Sequence, residues 1–230
     1  VGLILHIETA TSCCSVALAS DGICLSHKLL NDGFKHAENL MVLANEVLSE
    51  CDYSYTDLSA VAVSAGPGSY TGLRIGVSAA KGICYALDIP LLTIPTLEIL
   101  ARTYQMQYPD NLYLLCPMID ARRMEVYTAL FSTDFLEIEN AHPLVIETDA
   151  FNVALQKQSI VFFGDGAEKC IPTLMYSKNA YFDTKINISA EGMIAPAFEA
   201  FGKGDFADLA YFEPEYLKPY QGTPPKPKVL

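Results

Sequence analysis

The chain is poor in basic residues: 15 lysines and arginines stand against 27 aspartates and glutamates, a formal net charge of −12 over 230 residues. That balance opposes direct binding to a polyanion over a large surface, because phosphate neutralisation is the source of such affinity. Apolar runs approaching the roughly 18 residues of a membrane span are lacking, as is a basic region ahead of the short apolar stretch at the start. A soluble cytoplasmic protein, not exported and with no membrane partner, is the expectation. Seven cysteines include no Cys-x-x-Cys pair and are neighbours only at Cys13 and Cys14, which a strand would point to opposite faces. They read as reduced thiols, not as a disulfide framework or a zinc site. The four histidines, His6, His27, His36 and His142, are not spaced as metal ligands to one another.

What is present is organised around SAGPGSYTGLRIGVSAAKG, Ser64 to Gly82, a glycine-rich turn between an apolar strand and a helix of small residues. Gly66 and Gly68 allow unusual backbone angles, Pro67 fixes its own φ, and Ser69 or Thr71 can cap the helix. A Walker loop needs Gly, four residues, then Gly-Lys-Ser/Thr, and here Gly66 is followed by Gly72-Leu73-Arg74; the dinucleotide fingerprint fails on the Gly68 to Gly72 spacing. GSYTG is not the Gly-x-Ser-x-Gly of a nucleophile elbow. Gly72, Gly76, Ala80 and Cys84 recur every four residues, leaving one helix face with little bulk and suited to close contact with another backbone.

Along the chain, Leu3 to Ile7, Cys14 to Ala19 and Ile23 to Leu30 read as strands, with Asp21-Gly22 as a hairpin turn. Leu40, Leu43, Ala44, Val47 and Leu48 give His36 to Glu50 helical periodicity. Leu58 to Val63 reads as a buried strand, Leu91 to Ile94 as another, and Thr96 to Gln107 as a helix. A similar order then recurs. Strands are expected at Leu112 to Ile119, Met124 to Phe131, Leu136 to Ile146 and Ser159 to Phe163, with helices at Thr148 to Lys157, Ala167 to Tyr176 and Ser189 to Phe201. Residues 1–108 and 109–212 form two βββαβα-type halves, and 213–230 a proline- and lysine-containing tail expected to be extended or disordered. Such a tandem predicts an α/β protein of the duplicated ribonuclease-H-like fold of the actin, hexokinase and Hsp70 superfamily.

ILHIETATSCCSVAL, HAENL, AGPGSYTGLRIGVSAAKGI, PMIDARRMEVY and EPEYLK together resemble the TsaB (YeaZ) family of tRNA threonylcarbamoyladenosine biosynthesis proteins. The resemblance implies a non-catalytic scaffold or activator that pairs with TsaD for threonylcarbamoyl transfer to adenosine 37 of tRNAs reading ANN codons. TsaE would join through that pair, tRNA would be bound only indirectly, and no cofactor is implied. It also places the TsaD contact on the helices at His36 to Glu50 and Thr71 to Ala86, with His36, Leu40, Gly72, Arg74, Gly76 and Ala80 as the interface candidates; the isolated chain could pair with its own copy there. TsaD-type proteins hold a metal partly by His-x-x-x-His on the first helix, and here Leu40 follows His36.

Two rival readings remain. Glu8 and Asp120 end strands where superfamily members carry acidic residues, and Gly164-Asp165-Gly166 is a glycine turn, so a weak nucleotide hydrolase is the alternative; Arg122 and Arg123 are bulky where a phosphate loop wants glycine. Arg122, Arg123, Lys218, Lys226 and Lys228 are the basic elements available to a tRNA-binding module, which the net charge disfavours.

Overall fold

The structure is a computed structural model and describes residues 2–31, 33 and 35–218. Strands β1 (Leu3–Glu8), β2 (Cys14–Ser20) and β3 (Ile23–Leu30) form an antiparallel meander, and α1 (His36–Ser49) carries the chain to β4 (Ala60–Ser64), which pairs parallel with β1. Helix α2 (Tyr70–Leu87), β5 (Leu91–Ile94) and α3 (Thr96–Gln107) complete the first half. In the second, β6 (Leu114–Asp120), β7 (Glu125–Phe131), β8 (Glu137–Val145), β9 (Ile160–Phe163) and β10 (Ala180–Asp183) are joined by short helices α4 (Asn152–Lys157) and α5 (Ile171–Leu174), and α6 (Ile194–Lys203) closes the fold. The sheets are ordered β3-β2-β1-β4-β5 and β8-β7-β6-β9-β10. This is one topology used twice, the duplicated ribonuclease-H-like architecture.

Strand alternation builds three layers of core. Leu3, Leu5, Ile7, Val61 and Val63 pack under α1 and α2, while Ile4, Ala60 and Ala62 face α3. Leu115, Ile119, Val161 and Phe163 of the second sheet join that same central core, with Met193 and Ala197. Tyr104 of α3 stacks on Phe163 with centroids 4.4 Å apart. Cys116, Met118, Ile160 and Phe162 face outward beneath α4 and α5. Two sheets therefore share one interior, with α3 and α6 between them.

Several elements depart from the sequence expectation. Strand β10 was not anticipated, because an edge strand half open to water carries no apolar run. The helix expected at Ala167 to Tyr176 is a 3-10 turn (Glu168–Cys170) followed by α5, with Pro172 in its first turn. The last helix starts as a 3-10 turn, Ala190–Met193, where the Ser189 hydroxyl accepts from the Glu191 amide at 3.3 Å. Residues Glu213 to Lys218 of the expected tail are docked, not free. The Glu215 amide donates to the Ala65 carbonyl at 2.7 Å, the Tyr216 ring lies tilted against Tyr70 with centroids 4.9 Å apart, and Lys218 is paired with Glu125. An aromatic contact, a backbone bond and an ion pair seat the segment, which composition alone does not reveal. Lys226 and Lys228 lie outside the described residues. Among the described residues no helix is long and apolar enough to cross a membrane.

Candidate functional site

Glu8 ends β1 fully buried, and burial pushes its carboxyl up to about 7. The Ala10 amide donates to Oε1 at 2.5 Å and favours the charged form. Ser64, at the end of neighbouring β4, acts in the same sense more weakly, although its Oγ and Glu8 Oε2 do not meet in hydrogen-bond geometry. Thr9, next in the chain, donates its hydroxyl to the Gly72 carbonyl at 2.8 Å. Thus the strand end is tied to the first turn of α2. Ser69 caps that helix, accepting from the Gly72 amide at 3.2 Å.

At the corresponding place in the second half, Asp120 is exposed and paired with Lys169, and its Oδ1 accepts from the Arg122 amide at 2.9 Å. Arg122 and Arg123 both have positive φ, 70° and 51°, so the β6 to β7 turn is a compact left-handed bend, fastened by Asp120. Asp165 Oδ1 accepts from the Asp120 amide at 2.9 Å, and burial raises its carboxyl above the ordinary range. Gly164 has φ +102° and lies so close to the Met118 carbonyl that a side chain has no room. The Gly164-Asp165-Gly166 turn is thus accounted for by its seat on β6.

Thr11, Ser12 and Cys13 of the first half face Gly164, Asp165 and Asn187 across a cleft of about 20 Å³. That volume holds roughly one water, far below the several hundred Å³ of small-molecule pockets, about 300 or more. Glu8, Asp120 and the glycine turn border the junction of the halves, but Glu8 is sealed and Asp120 is engaged by Lys169.

The interface candidates on α1 and α2 divide into two groups. Gly72, Gly76 and Ala80 face inward: side chains added at Gly72 and Gly76 would overlap the Thr9 carbonyl and hydroxyl, and Ala80 is buried in the core beneath the helices. The small-residue stripe serves contact with the chain's own β1, which corrects its assignment to a partner. His36 is buried as well, with Nε2 donating to the Thr11 carbonyl at 2.8 Å, and Leu40 is a core residue at 2% exposure. Arg74 alone of the six projects outward, over the Tyr70 ring at 4.1 Å, and donates to the Tyr216 hydroxyl at 3.3 Å.

On the outer side lies an open groove of about 500 Å³ between α1 and α2, bordered by Ala37, Met41, Thr71, Ile75, Ser78 and Ala79 together with two of the interface candidates, Leu40 and Arg74. Met41 is 40% exposed and Val42 53%. Apart from Leu40 and Arg74, the groove residues were missed by the sequence reading, although Thr71, Ile75, Ser78 and Ala79 have helical spacing of their own. Their modest apolarity was masked by the stronger stripe on the other face.

A model of the TsaD family, tRNA N6-adenosine threonylcarbamoyltransferase, matches residues 33–196. The tRNA threonylcarbamoyladenosine biosynthesis protein TsaB of Escherichia coli (strain K12) is 30% identical over 220 residues, 94% of each chain. The chain belongs to the TsaB (YeaZ) family. TsaB of Bacillus subtilis (strain 168) is 37% identical over 128 residues, 56% of this chain and 54% of that one. Among solved structures, YeaZ from Pseudomonas aeruginosa superposes with a TM-score of 0.80 at 24% identity, over 94% of this chain and 100% of that one. The activator of the 2-hydroxyisocaproyl-CoA dehydratase from Clostridium difficile, with bound ADPNP, shares the fold at a TM-score of 0.51 and 8% identity, over 88% and 96% of the two chains. In the TsaB-family chain, Leu40 belongs to the core cluster under α1 and α2, where it packs as an aliphatic residue.

Proposed function

We propose that this chain is the non-catalytic subunit that pairs with TsaD for threonylcarbamoyl transfer to adenosine 37 of tRNAs reading ANN codons, in the cytoplasm. It docks through the outer faces of α1 and α2, holds TsaD in its active arrangement, admits TsaE through the pair, and meets tRNA only by way of its partners. The observation that carries this reading is the α1 to α2 groove. Ala37, Thr71, Ser78 and Ala79 are small, so a partner helix can approach closely, and Met41 and Ile75 offer adaptable apolar contact. Net charge of −12 favours a role that leaves the tRNA backbone to others.

Against a nucleotide hydrolase stand the narrow cleft, the engagement of Asp120 by Lys169, and the bulky Arg122 and Arg123 in the second hairpin. The test is the solution mass, by light scattering, of the chain mixed with TsaD of the same organism. A 1:1 complex is expected for the natural chain, with loss of at least tenfold in affinity for Ser78→Arg, an exposed groove position at which the melting temperature should be unchanged. No complex, or a Ser78→Arg variant that binds normally, overturns the proposed docking.

A further inference from the structure

Strand β3 is an edge of the first sheet, and its pairing with β2 slips: Ala17 lies opposite His27, yet Ala19 lies opposite Cys24. Two steps on β2 are matched by three on β3, a β-bulge between Leu18 and Ala19. Cys24 and His27, which simple alternation sends to opposite faces, therefore share the face of Ala17 and Ala19. The bulge makes neighbours of two good metal ligands.

That face is covered by the 3-10 turn Ala190–Met193. Ala17, Ala19, Ala190 and Ile194 form a small apolar cluster of their own, and the Ala190 amide donates to Ser15 Oγ at 3.1 Å. Three alanines leave little bulk between turn and sheet, so the turn sits low and Glu191 reaches across to β3. His27 Nε2 lies 3.1 Å from Glu191 Oε2. One ligand atom each from Cys24, His27 and Glu191 falls within 4.8 Å of the other two.

We propose that Cys24, His27 and Glu191 form a three-ligand site for a zinc-type divalent transition cation, which fastens the turn before α6 to the edge of the first sheet. Sulfur, imidazole nitrogen and carboxylate oxygen together suit zinc, whereas calcium and magnesium take oxygen donors. With bonds of about 2.0 to 2.3 Å, tetrahedral zinc places its ligand atoms about 3.3 to 3.6 Å apart, so atoms already within 4.8 Å of one another need to close by about 1.5 Å at most. The fourth position faces solvent, since Cys24 is exposed and the His27 side chain is 48% exposed at this sheet edge. The site lies apart from the α1 to α2 groove and does not depend on the proposed pairing with TsaD. Spacing in the sequence conceals it, because Glu191 is remote in the chain and the bulge alone aligns the other two.

The experiment is a Co2+ titration of the full chain, stripped of metal with a chelator and kept reduced. One equivalent should bind, with a thiolate-to-cobalt charge-transfer absorption and the visible bands of a tetrahedral ion, both quenched by added Zn2+. Cys24→Ser should abolish the charge-transfer band, His27→Gln and Glu191→Gln should weaken binding about tenfold or more, and Cys51→Ser should change nothing. Far-UV circular dichroism of each variant should match the natural chain, and Zn2+ should raise the melting temperature of the natural chain but not of Glu191→Gln. Absence of the band, its survival in Cys24→Ser, or uptake indifferent to His27→Gln and Glu191→Gln overturns the proposal and leaves an ion pair beside a bystander thiol.

Discussion

Thr9 donates its hydroxyl to the Gly72 carbonyl at 2.8 Å, and Gly76, one turn on, passes directly over the same threonine. This contact sets the depth at which α2 sits on β1 and decides the role of the small-residue stripe. A helix this close leaves no space for a β-carbon at either glycine.

Gly76→Leu is expected to destabilise the fold by about 3 kcal/mol or more, through overpacking against Thr9 and Ile7, and to fail as a probe of partner binding. Thermal unfolding checks this. An unaltered melting temperature would mean that α2 does not seat on β1 as described.

Glu8 makes stability depend on pH. Its carboxyl is raised from 4.5 to about 7 by burial, so the folded state holds the proton more tightly and the associated stability, full below pH 4.5, is lost as pH rises through 7. Glu8→Gln removes that loss. Relative to the natural chain the variant should gain up to about 3 kcal/mol between pH 5 and pH 8, read from denaturant unfolding at each pH. A constant difference across the range would contradict the buried carboxyl. Buried His6, lowered to about 4, acts in the opposite sense: its contribution is present above 6.5 and is lost as pH falls toward 4. The Glu8 effect is therefore read as a difference between variants and not from the natural chain alone.

Asp120→Ala should cost about 1 kcal/mol or less, because the exposed Asp120 fastens the Arg122 turn and pairs with Lys169. Nucleotide turnover by the pure chain should be at background before and after the change. Saturable turnover that Asp120→Ala removes would reinstate the hydrolase reading.

Tyr216→Ala should release the segment that crosses the start of α2. The tilted ring contact with Tyr70 and the Arg74 hydrogen bond are both lost, a change of about 1 kcal/mol in local stability. Hydrogen exchange at the Glu215 amide should accelerate several-fold while the core of β1 and β4 is unaffected. Unchanged exchange at Glu215 would show that the backbone bond to Ala65 holds the segment without the ring.

Much of the fold was legible because its signals are local. The short apolar runs of LILHIE and AVAVS, the helical period of α1 and α2, and the Asp21-Gly22 turn each follow from a few adjacent residues, and the similar order in the second half exposes the duplication. The short and half-exposed elements, α5 and β10, had no such period to read.

The sequence by itself determined the order of elements, the tandem halves, the glycine turn before α2 and the existence of a helix face without bulk. Tertiary structure alone decided what meets that face, since periodicity says that a stripe must be covered and not by what. It also decided that Glu8 is sealed while Asp120 is open, that Tyr216 lies on Tyr70, and that one bulge turns Cys24 and His27 together beneath Glu191. Strand side chains repeat with a period of two, so a slip of one residue reverses every face beyond it, and such a slip is set by pairing across strands.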